Sequence, residues 1–480
     1  MGELAAQKPH WQSCPAQTAE STRPANDTEW ECAAVKVPVD WSDPGGERME
    51  LALIRARASG PGHRIGSLIF NFGGPGDPGV TMLPAAVQTY QDFEELRTRY
   101  DLVSFDPRGT GSSRPVRCLD DSARDEASAA DSTPDTPAEQ AALLRVARAT
   151  TRACAKNSGP MLAHVGTRST ARDLDLLRQV LGDDRLSYVG FSYGTELGAL
   201  YAHLFPARVG RMVLDAVTNP AQNPEQSALG QARGFQLALQ RFIADCTGKQ
   251  PACPLGDEPD QAEHKIGALL DGLEHKPLPT TDGRPLTQTR ALNGVIQALY
   301  AESYWPHLRS GLQAALRQGK GNILLALSDA LTGRDQQGHY STTQAAATAT
   351  LCADTSHRYT LRDITDSLSA FREASPVFGH HYAWTQLLQC TGWPTRGRPN
   401  APVTATGSAP VLLISTTGDP ATPHTNLASM ARQLGPEVAI QITHRGNGHT
   451  AYGTSSCVTD IVNRYLLIGT SPKTGTTCDD

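Results

Sequence analysis

A serine lies at the centre of a G-x-S-x-G motif at residues 190–194, Gly-Phe-Ser-Tyr-Gly. The apolar residues 186–189 before it are typical of a short buried strand, and residues 195–205 after it have a helical pattern. On a sharp turn from strand to helix the serine hydroxyl is exposed, and the flanking glycines allow the tight turn. The helix N-terminus favours negative charge that develops there. We therefore predict that Ser192 is a nucleophile.

A nucleophilic serine needs a base, and the base needs an acid that orients it. In the fold that carries this motif, the acid and then the histidine follow the serine along the chain. One buried-strand pattern in the C-terminal part ends in a loop with Asp419, and the next leads to a glycine-rich loop with His449. We predict Asp419 as the acid and His449 as the base. His444 still belongs to a strand end, and His424 follows the acid loop too closely.

The tetrahedral intermediate of acyl transfer requires backbone N–H donors that point at its oxyanion. One donor is expected from the residue after the nucleophile, here Tyr193, and the other from a loop after an early strand. Residues 65–72 have a strand pattern, and the sequence Gly-Gly-Pro-Gly follows at once. We assign the second donor to Gly74.

The elements that must position these residues follow from the pattern of the chain. Strand and helix patterns alternate from residue 30 to 220, as a parallel sheet requires. Roughly 190 residues then separate two strand patterns, which is far too long for one crossover. We predict an α/β-hydrolase fold with a mostly parallel central sheet, helices on both faces and an inserted helical cap. The predicted parts are a first part of the core (30–220), a mostly helical cap (221–400) and a second part of the core (401–480).

Two charged residues follow an early strand without a place in this chemistry. Asp106 and Arg108 lie in a tight Asp-Pro-Arg-Gly turn. For them we predict a structural ion pair beneath the active-site loops rather than a catalytic role.

Four motifs stand out along the chain: NFGGPG at 71–76, FDPRGTGSS at 105–113, GFSYGT at 190–195 and GDPATP at 418–423. Together they resemble the secreted tripeptidyl aminopeptidases of actinobacteria, which are α/β-hydrolases related to prolyl aminopeptidases. The resemblance covers nearly the whole chain and ends in a TAP-like C-terminal region. It implies a serine hydrolase without a metal or organic cofactor, with Ser192, Asp419 and His449 as its triad and an acyl-enzyme intermediate. It also implies cleavage of amide bonds at peptide N-termini.

The chain departs from this family pattern at two positions. Phe72 stands where the family commonly has proline, and Asn219 stands where it commonly has aspartate. The lost acid leaves open a second hypothesis, an esterase or amidase that acts on a small molecule with the same triad. A non-catalytic binding protein is disfavoured by the complete triad, and a dehalogenase or epoxide hydrolase by the serine at the turn.

An exopeptidase must bind a free α-amine, normally through carboxylates near the site. The sequence offers four candidates for this contact, of which Asp215 is slightly favoured because it lies at a strand end near the site. They are Asp215, Glu196, Glu225 and Asp354.

Composition limits the classes of partner. The chain of 480 residues has a formal net charge of -6 and a pI near 6.2, which argues against nucleic acid and anionic membranes. No apolar run reaches the length of about 18 residues that a membrane span needs. We expect a peptide or a small molecule as substrate. A monomer fits these observations, and the oligomeric state stays open.

Ten cysteines are scattered along the chain without a C-x-x-C pair. An even, scattered set favours disulfides and an oxidising compartment. We therefore expect a secreted protein, present here as a mature chain whose signal peptide has been removed. Pairing between neighbours in the sequence is plausible, although the sequence alone does not fix the connectivity. The expected pairs are 14–32, 118–154, 246–253, 352–390 and 457–478.

Overall fold

A ten-stranded sheet runs through the computed structural model, which describes residues 2–15, 28–90, 92–248 and 253–480. The strand order is β1-β2-β3-β5-β4-β6-β7-β8-β9-β10. The first three strands pair antiparallel, β3 pairs antiparallel with β5, and the strands from β5 to β10 are parallel. The strands are Gln12–Ser13, Trp30–Pro38, Arg48–Ala56, Gly66–Asn71, Tyr100–Phe105, Leu186–Phe191, Val209–Asp215, Val411–Gly418, Ala439–Asn447 and Thr476–Cys478 (β1 to β10).

The central strands are buried on both faces, as parallel strands between helices must be. Every residue of β4 and β5 is buried. Side chains alternate between two apolar clusters, so that Leu68 and Phe70 pack in one cluster and Ile69 in the other. The α/β-hydrolase fold predicted from the sequence is confirmed.

Helices cover both faces of the sheet. Those outside the long segment between β7 and β8 are Gly2–Ala5, Gly79–Thr89, Asp92–Arg97, Asp121–Ser128, Pro137–Ser158, Thr167–Val180, Tyr193–Leu204, Thr425–Leu434 and Ser456–Ile468 (α1 to α7, α16 and α17).

A helical insertion lies between β7 and β8. Its apolar side chains form a third cluster, which includes Phe235, Leu292 and Trp384. The helices are Pro224–Gly248, Pro259–His275, Gln288–Leu299, Trp305–Gln318, Asn322–Thr332, Thr343–Ala353, Leu361–Ala374 and Gly379–Leu388 (α8 to α15).

Arg108 forms a structural ion pair, as predicted, but its partner is Asp173 and not Asp106. Arg108 donates from Nε and Nη2 to Asp173 at 2.6 Å each, and both side chains are fully buried. Asp106 instead accepts the N–H groups of Val80 and Ser112 at 2.9 and 2.7 Å. A buried bidentate pair with every donor satisfied is a structural arrangement.

All ten cysteines are paired, and the five expected pairs are confirmed: Cys14–Cys32, Cys118–Cys154, Cys246–Cys253, Cys352–Cys390 and Cys457–Cys478. Within the described ranges, each helix is too short or too polar to traverse a lipid bilayer.

The parallel part of the sheet explains how distant residues meet. The carboxyl ends of β4, β6, β7, β8 and β9 lie along one edge, where an α/β fold places its ligands. The loops that leave this edge carry Gly74, Ser192, Asp215, Asp419 and His449. These five residues come from strands that are far apart in the sequence.

Candidate active site

Ser192 occupies the turn between β6 and α7 with φ 53° and ψ -121°. A positive φ is unfavourable for serine and persists only where the surrounding structure enforces it. An ideal Cβ at Gly190 would lie 2.4 Å from the carbonyl oxygen of Gly194, and one at Gly194 would lie 2.7 Å from that of Asn71. Larger residues would therefore prevent the close approach of helix and strand. The positive φ and the glycine-flanked turn from strand to helix are typical of a nucleophilic serine.

His449 and Asp419 are brought together at the ends of β9 and β8. The Nδ1–H of His449 donates to a carboxylate whose two oxygens both lie 2.9 Å away. The N–H of Ala421 at 2.9 Å and the N–H and hydroxyl of Thr422, both at 2.8 Å, also donate to Asp419. The acid is fully buried and held in a single orientation.

Electrostatics favour the protonated form of His449. Burial alone would lower the pKa of this imidazole, but the charge and hydrogen bond of Asp419, and then the charge of Asp215, outweigh it and raise the pKa. The backbone N–H of His449 donates to the carbonyl of Tyr300 at 2.8 Å, and the two rings meet edge to face at 5.6 Å. The helical insertion thus contacts the histidine directly.

The serine and the histidine are not hydrogen-bonded to each other here. Among the described residues, neither Ser192 Oγ nor His449 Nε2 has a hydrogen-bond partner. Catalytic hydrogen bonds often tighten only when substrate is bound. Of the other two histidines weighed from the sequence, His444 is inside β9 and contacts the carbonyl of Asp480 at 2.9 Å. His424 precedes α16 and lines the same cavity as Ser192, but its Nδ1 lies 3.2 Å from Ser415 Oγ rather than near Asp419.

The glycine loop after β4 lies against the nucleophile. An ideal Cβ at Gly73 would lie 3.1 Å from Ser192 Cβ and 3.3 Å from the nitrogen of Tyr193. The N–H of Gly73 donates to Asn71 Oδ1 at 3.2 Å. The N–H groups of Gly74 and Tyr193 donate to no acceptor in the described part of the chain. Two free donors therefore flank the serine, as an oxyanion site requires.

A cavity of about 700 Å³ opens in front of Ser192. Gly74, Tyr193 and Asp419 line it from the core. Leu237 and Leu351 line it from the insertion, and both are unusually exposed for leucine, at 39% and 37%. A cavity of this size suits a small molecule or a peptide end.

Two of the four candidate carboxylates lie in this cavity, Glu196 and Asp354. Asp354 accepts the N–H of Thr167 at 3.0 Å and its hydroxyl at 2.5 Å. Glu196 accepts the side-chain amide of Asn400 at 3.1 Å, and that amide also reaches Asp354. Thr167 and Asn400 could not be predicted from the sequence, because they belong to neither a catalytic motif nor an acidic pattern.

The two carboxyl groups influence each other. Burial first, and then the neighbouring Glu196, raise the pKa of Asp354 to about 8. Burial also raises the pKa of Glu196, against the hydrogen bond from Asn400. In the described structure no basic side chain forms an ion pair with either group. Together they form a half-buried acidic pair; the guanidinium of Arg168 lies within electrostatic reach of Asp354 but forms no ion pair with it.

The other two candidates lie outside the cavity lining. Asp215 is fully buried and accepts the N–H groups of Ala451 and Tyr452. Glu225 accepts a hydrogen bond from Ser367 Oγ. Asn219 does line the cavity, and its Oδ1 accepts the side-chain amide of Gln433 at 2.9 Å.

Comparisons with known proteins agree with this architecture. A family model described as TAP-like protein matches residues 375–478. Serine protease Hip1 of Mycobacterium tuberculosis is 37% identical over 464 residues, which cover 93% of this chain and 87% of that protein. Carboxylesterase B of the same species is 38% identical over 483 residues, covering 99% and 91%. Tripeptidyl aminopeptidase of Streptomyces lividans is 29% identical over 452 residues, covering 93% and 83%.

Proposed function

The chain belongs to the actinobacterial α/β-hydrolase family that contains serine protease Hip1 and tripeptidyl aminopeptidase, and from this premise we propose that it is a serine exopeptidase specific for free peptide N-termini. It is a serine hydrolase, as its relatives are. The proposal itself concerns substrate specificity: the substrate is a short peptide whose α-amine is bound in the cavity.

One observation carries this proposal, the acidic pair of Glu196 and Asp354 in the same cavity as Ser192. Two neighbouring carboxyl groups without an ion-pair partner resist ionising together, and a substrate ammonium between them would stabilise both negative charges. Glu196 lies four residues after Ser192, so it faces the same side of α7 about one 5.4 Å turn away. An extended peptide advances about 3.4 Å per residue. One helical turn thus corresponds to about two extended residues, which supports a site for the amine of a short peptide.

The proposed reaction proceeds by two acyl transfers. His449 takes the proton of Ser192 as the serine oxygen attacks the substrate carbonyl, and Asp419 stabilises the imidazolium. The N–H groups of Gly74 and Tyr193 hold the oxyanion. His449 then gives its proton to the leaving amine, and water attacks the acyl-enzyme by the same route to release the short peptide.

We propose that the helical insertion acts as a cap over this site. Tyr300 supports this role, because its carbonyl holds the backbone of His449 and its ring contacts the imidazole. Leu237 and Asp354 also support this role, because both belong to the insertion and line the cavity. A cap that supplies part of the binding site excludes folded protein and admits a chain end.

We also propose that the protein is secreted. Five disulfides support this location, since such bonds form and persist in oxidising compartments.

A second function deserves a test, an esterase or amidase that acts on a small molecule. Asn219 lines the cavity where the family pattern has an acid, and Leu237 and Leu351 give the cavity an apolar side. The relative named carboxylesterase B is as similar to this chain as the protease is.

Three matched substrates separate these functions: a free tripeptide p-nitroanilide, its N-acetylated twin, and a short acyl nitrophenyl ester. We expect the free tripeptide to be cleaved far faster than its twin. In Glu196→Gln and Asp354→Asn, KM for the free tripeptide should rise while ester hydrolysis stays near that of the wild type.

The opposite results would overturn the exopeptidase proposal. Equal cleavage of the free and acetylated anilides would remove the need for an amine site. Ester cleavage with both anilides inert would establish the small-molecule hydrolase instead. Ser192→Ala serves as the background control for all three substrates.

A further inference from the structure

A second buried carboxylate lies behind His449. Asp215, at the end of β7, is fully buried, and its Oδ2 accepts the N–H groups of Ala451 at 2.9 Å and Tyr452 at 2.8 Å. These residues follow His449 by two and three positions. Asp215 thus binds the backbone of the loop that carries the proposed base, whereas Asp419 binds the imidazole ring.

The loop between them needs an anchor. Thr450 has φ 75°, a conformation that threonine adopts only under constraint. On one side of it, the N–H of His449 is fixed to the carbonyl of Tyr300. On the other side, the two N–H groups bound by Asp215 fix residues 451 and 452. The loop is held from the insertion at one end and from the sheet at the other.

One oxygen of Asp215 is not used in this anchor. In the described structure Oδ1 is buried and has no hydrogen-bond partner. The titratable groups that face Asp215 are His449, Asp419 and Tyr90. Because it anchors the residues that follow His449, Asp215 also lies within electrostatic reach of the imidazole.

We propose that Asp215 is a positioning residue for His449, which fixes the loop of residues 449–452 and whose negative charge stabilises the imidazolium formed during acyl transfer. This inference rests on the proposed role of His449 as base. Burial raises the pKa of Asp215 to about 6, so the carboxyl group is largely ionised above neutral pH. Its charge there adds to that of Asp419.

The two acids should therefore respond differently to substitution. Asp419 orients the ring through Nδ1, whereas Asp215 acts through the backbone and through its charge. Asp215→Asn keeps an oxygen for the two N–H groups and removes the charge. Asp215→Ala removes both.

The matched control is Asp106→Asn. Asp106 is also a buried strand-end aspartate that accepts two backbone N–H groups, those of Val80 and Ser112. Burial raises its pKa as well, but His449 is not among the groups that influence it. The same chemical change is thus made at two comparable positions, one beside the histidine and one away from it.

The experiment measures kcat/KM against pH for the nitrophenyl ester in the wild type and in the three variants. For Asp215→Asn we expect the acid limb to move to lower pH, with less than a tenfold loss on the plateau, and for Asp215→Ala about a hundredfold loss on the plateau. Asp106→Asn should leave the midpoint of the acid limb unchanged. A second readout is the NMR titration of the His449 ring in the Ser192→Ala background, which should show the same downward shift with Asp215→Asn.

An unchanged His449 titration in Asp215→Asn, or an equal shift in Asp106→Asn, would overturn the inference and leave Asp215 as a structural anchor. The NMR titration still reports on Asp215 if Asp215→Ala fails to fold. Neither readout depends on a substrate amine, so a failure of the exopeptidase proposal would be seen separately, in the comparison of free and acetylated tripeptides.

Discussion

Asp419 receives the Nδ1–H of His449 with both carboxylate oxygens at the same distance, 2.9 Å. This contact, together with the charge of Asp215, outweighs the effect of burial and raises the pKa of His449 above 6.5. A base must be unprotonated to accept the serine proton. Activity should therefore be lost as the pH falls through a midpoint above 6.5, measured as kcat/KM for the ester across pH 5–9.

The same profile in Asp419→Asn provides the check. Removing the main cause of the raised pKa should move the midpoint to lower pH, and it should lower the plateau by about 10⁴-fold because the ring loses its orientation. A profile that is flat between pH 5 and 8 in the wild type would contradict the role of His449.

Ser192→Ala should reduce turnover by about 10³- to 10⁶-fold, because the triad acts as a unit and only binding and the oxyanion donors would remain. Ser227→Ala is the matched control, since Ser227 lines the same cavity. It should retain at least half of the wild-type rate. Equal rates for Ser192→Ala and the wild type on every substrate would show that the nucleophile is elsewhere.

The raised pKa of Asp354, about 8, predicts that substrate binding releases a proton. At pH 7 the group is mostly protonated, and a bound ammonium favours its ionised form, so binding should displace the proton. Calorimetry of a free tripeptide binding to Ser192→Ala, in two buffers of different ionisation enthalpy, measures the number of protons released on binding.

Two comparisons test the assignment of that proton. Asp354→Asn should abolish the release, and the N-acetylated tripeptide should bind weakly and without it. Proton release of the same size in Asp354→Asn would place the titrating group elsewhere in the cavity.

The Cys352–Cys390 disulfide should support both stability and substrate binding. It closes a separation of 38 residues, for which chain entropy gives about 4 kcal/mol of stabilisation. Cys352 precedes Asp354 by two residues, and Cys390 lines the cavity. The Cys352→Ala/Cys390→Ala variant should therefore unfold at lower denaturant concentration and bind the free tripeptide with a higher KM.

The Cys246–Cys253 disulfide is the matched comparison. It closes a separation of 7 residues, for which the same entropy argument gives about 2 kcal/mol. Its double alanine variant should lose less stability and keep the KM of the wild type. Equal KM values in both double variants would separate the Cys352–Cys390 bond from the substrate site.

Much of the site could be predicted because its parts follow local rules. The nucleophile turn needs glycines at fixed offsets and a strand and a helix on either side, and all of this is contiguous around Ser192. The loops with Gly74, Asp419 and His449 each follow an apolar strand pattern. Since the ends of parallel strands share one edge, a local pattern was enough to place them near one another.

The remaining features depend on contacts that no local pattern encodes. Glu196 and Asp354 meet through Asn400 and through the contact of Asp354 with Thr167 at the start of α6, so the strand-end position that favoured Asp215 in the sequence was a poor guide. Arg108 could be predicted to form an ion pair, but Asp173 became its partner through the docking of α6. Asp215 is an ordinary strand-end acid until the loop after His449 folds over it.

Every disulfide of the molecule joins one cysteine to the next cysteine along the chain. An oxidant that links cysteines in the order in which they emerge during export would therefore produce the native connectivity at each step. Ten cysteines allow hundreds of alternative pairings, yet a strictly sequential process never has to choose among them. The order of the cysteines thus makes correct oxidation a matter of timing, and a disulfide isomerase has no wrong bond to repair.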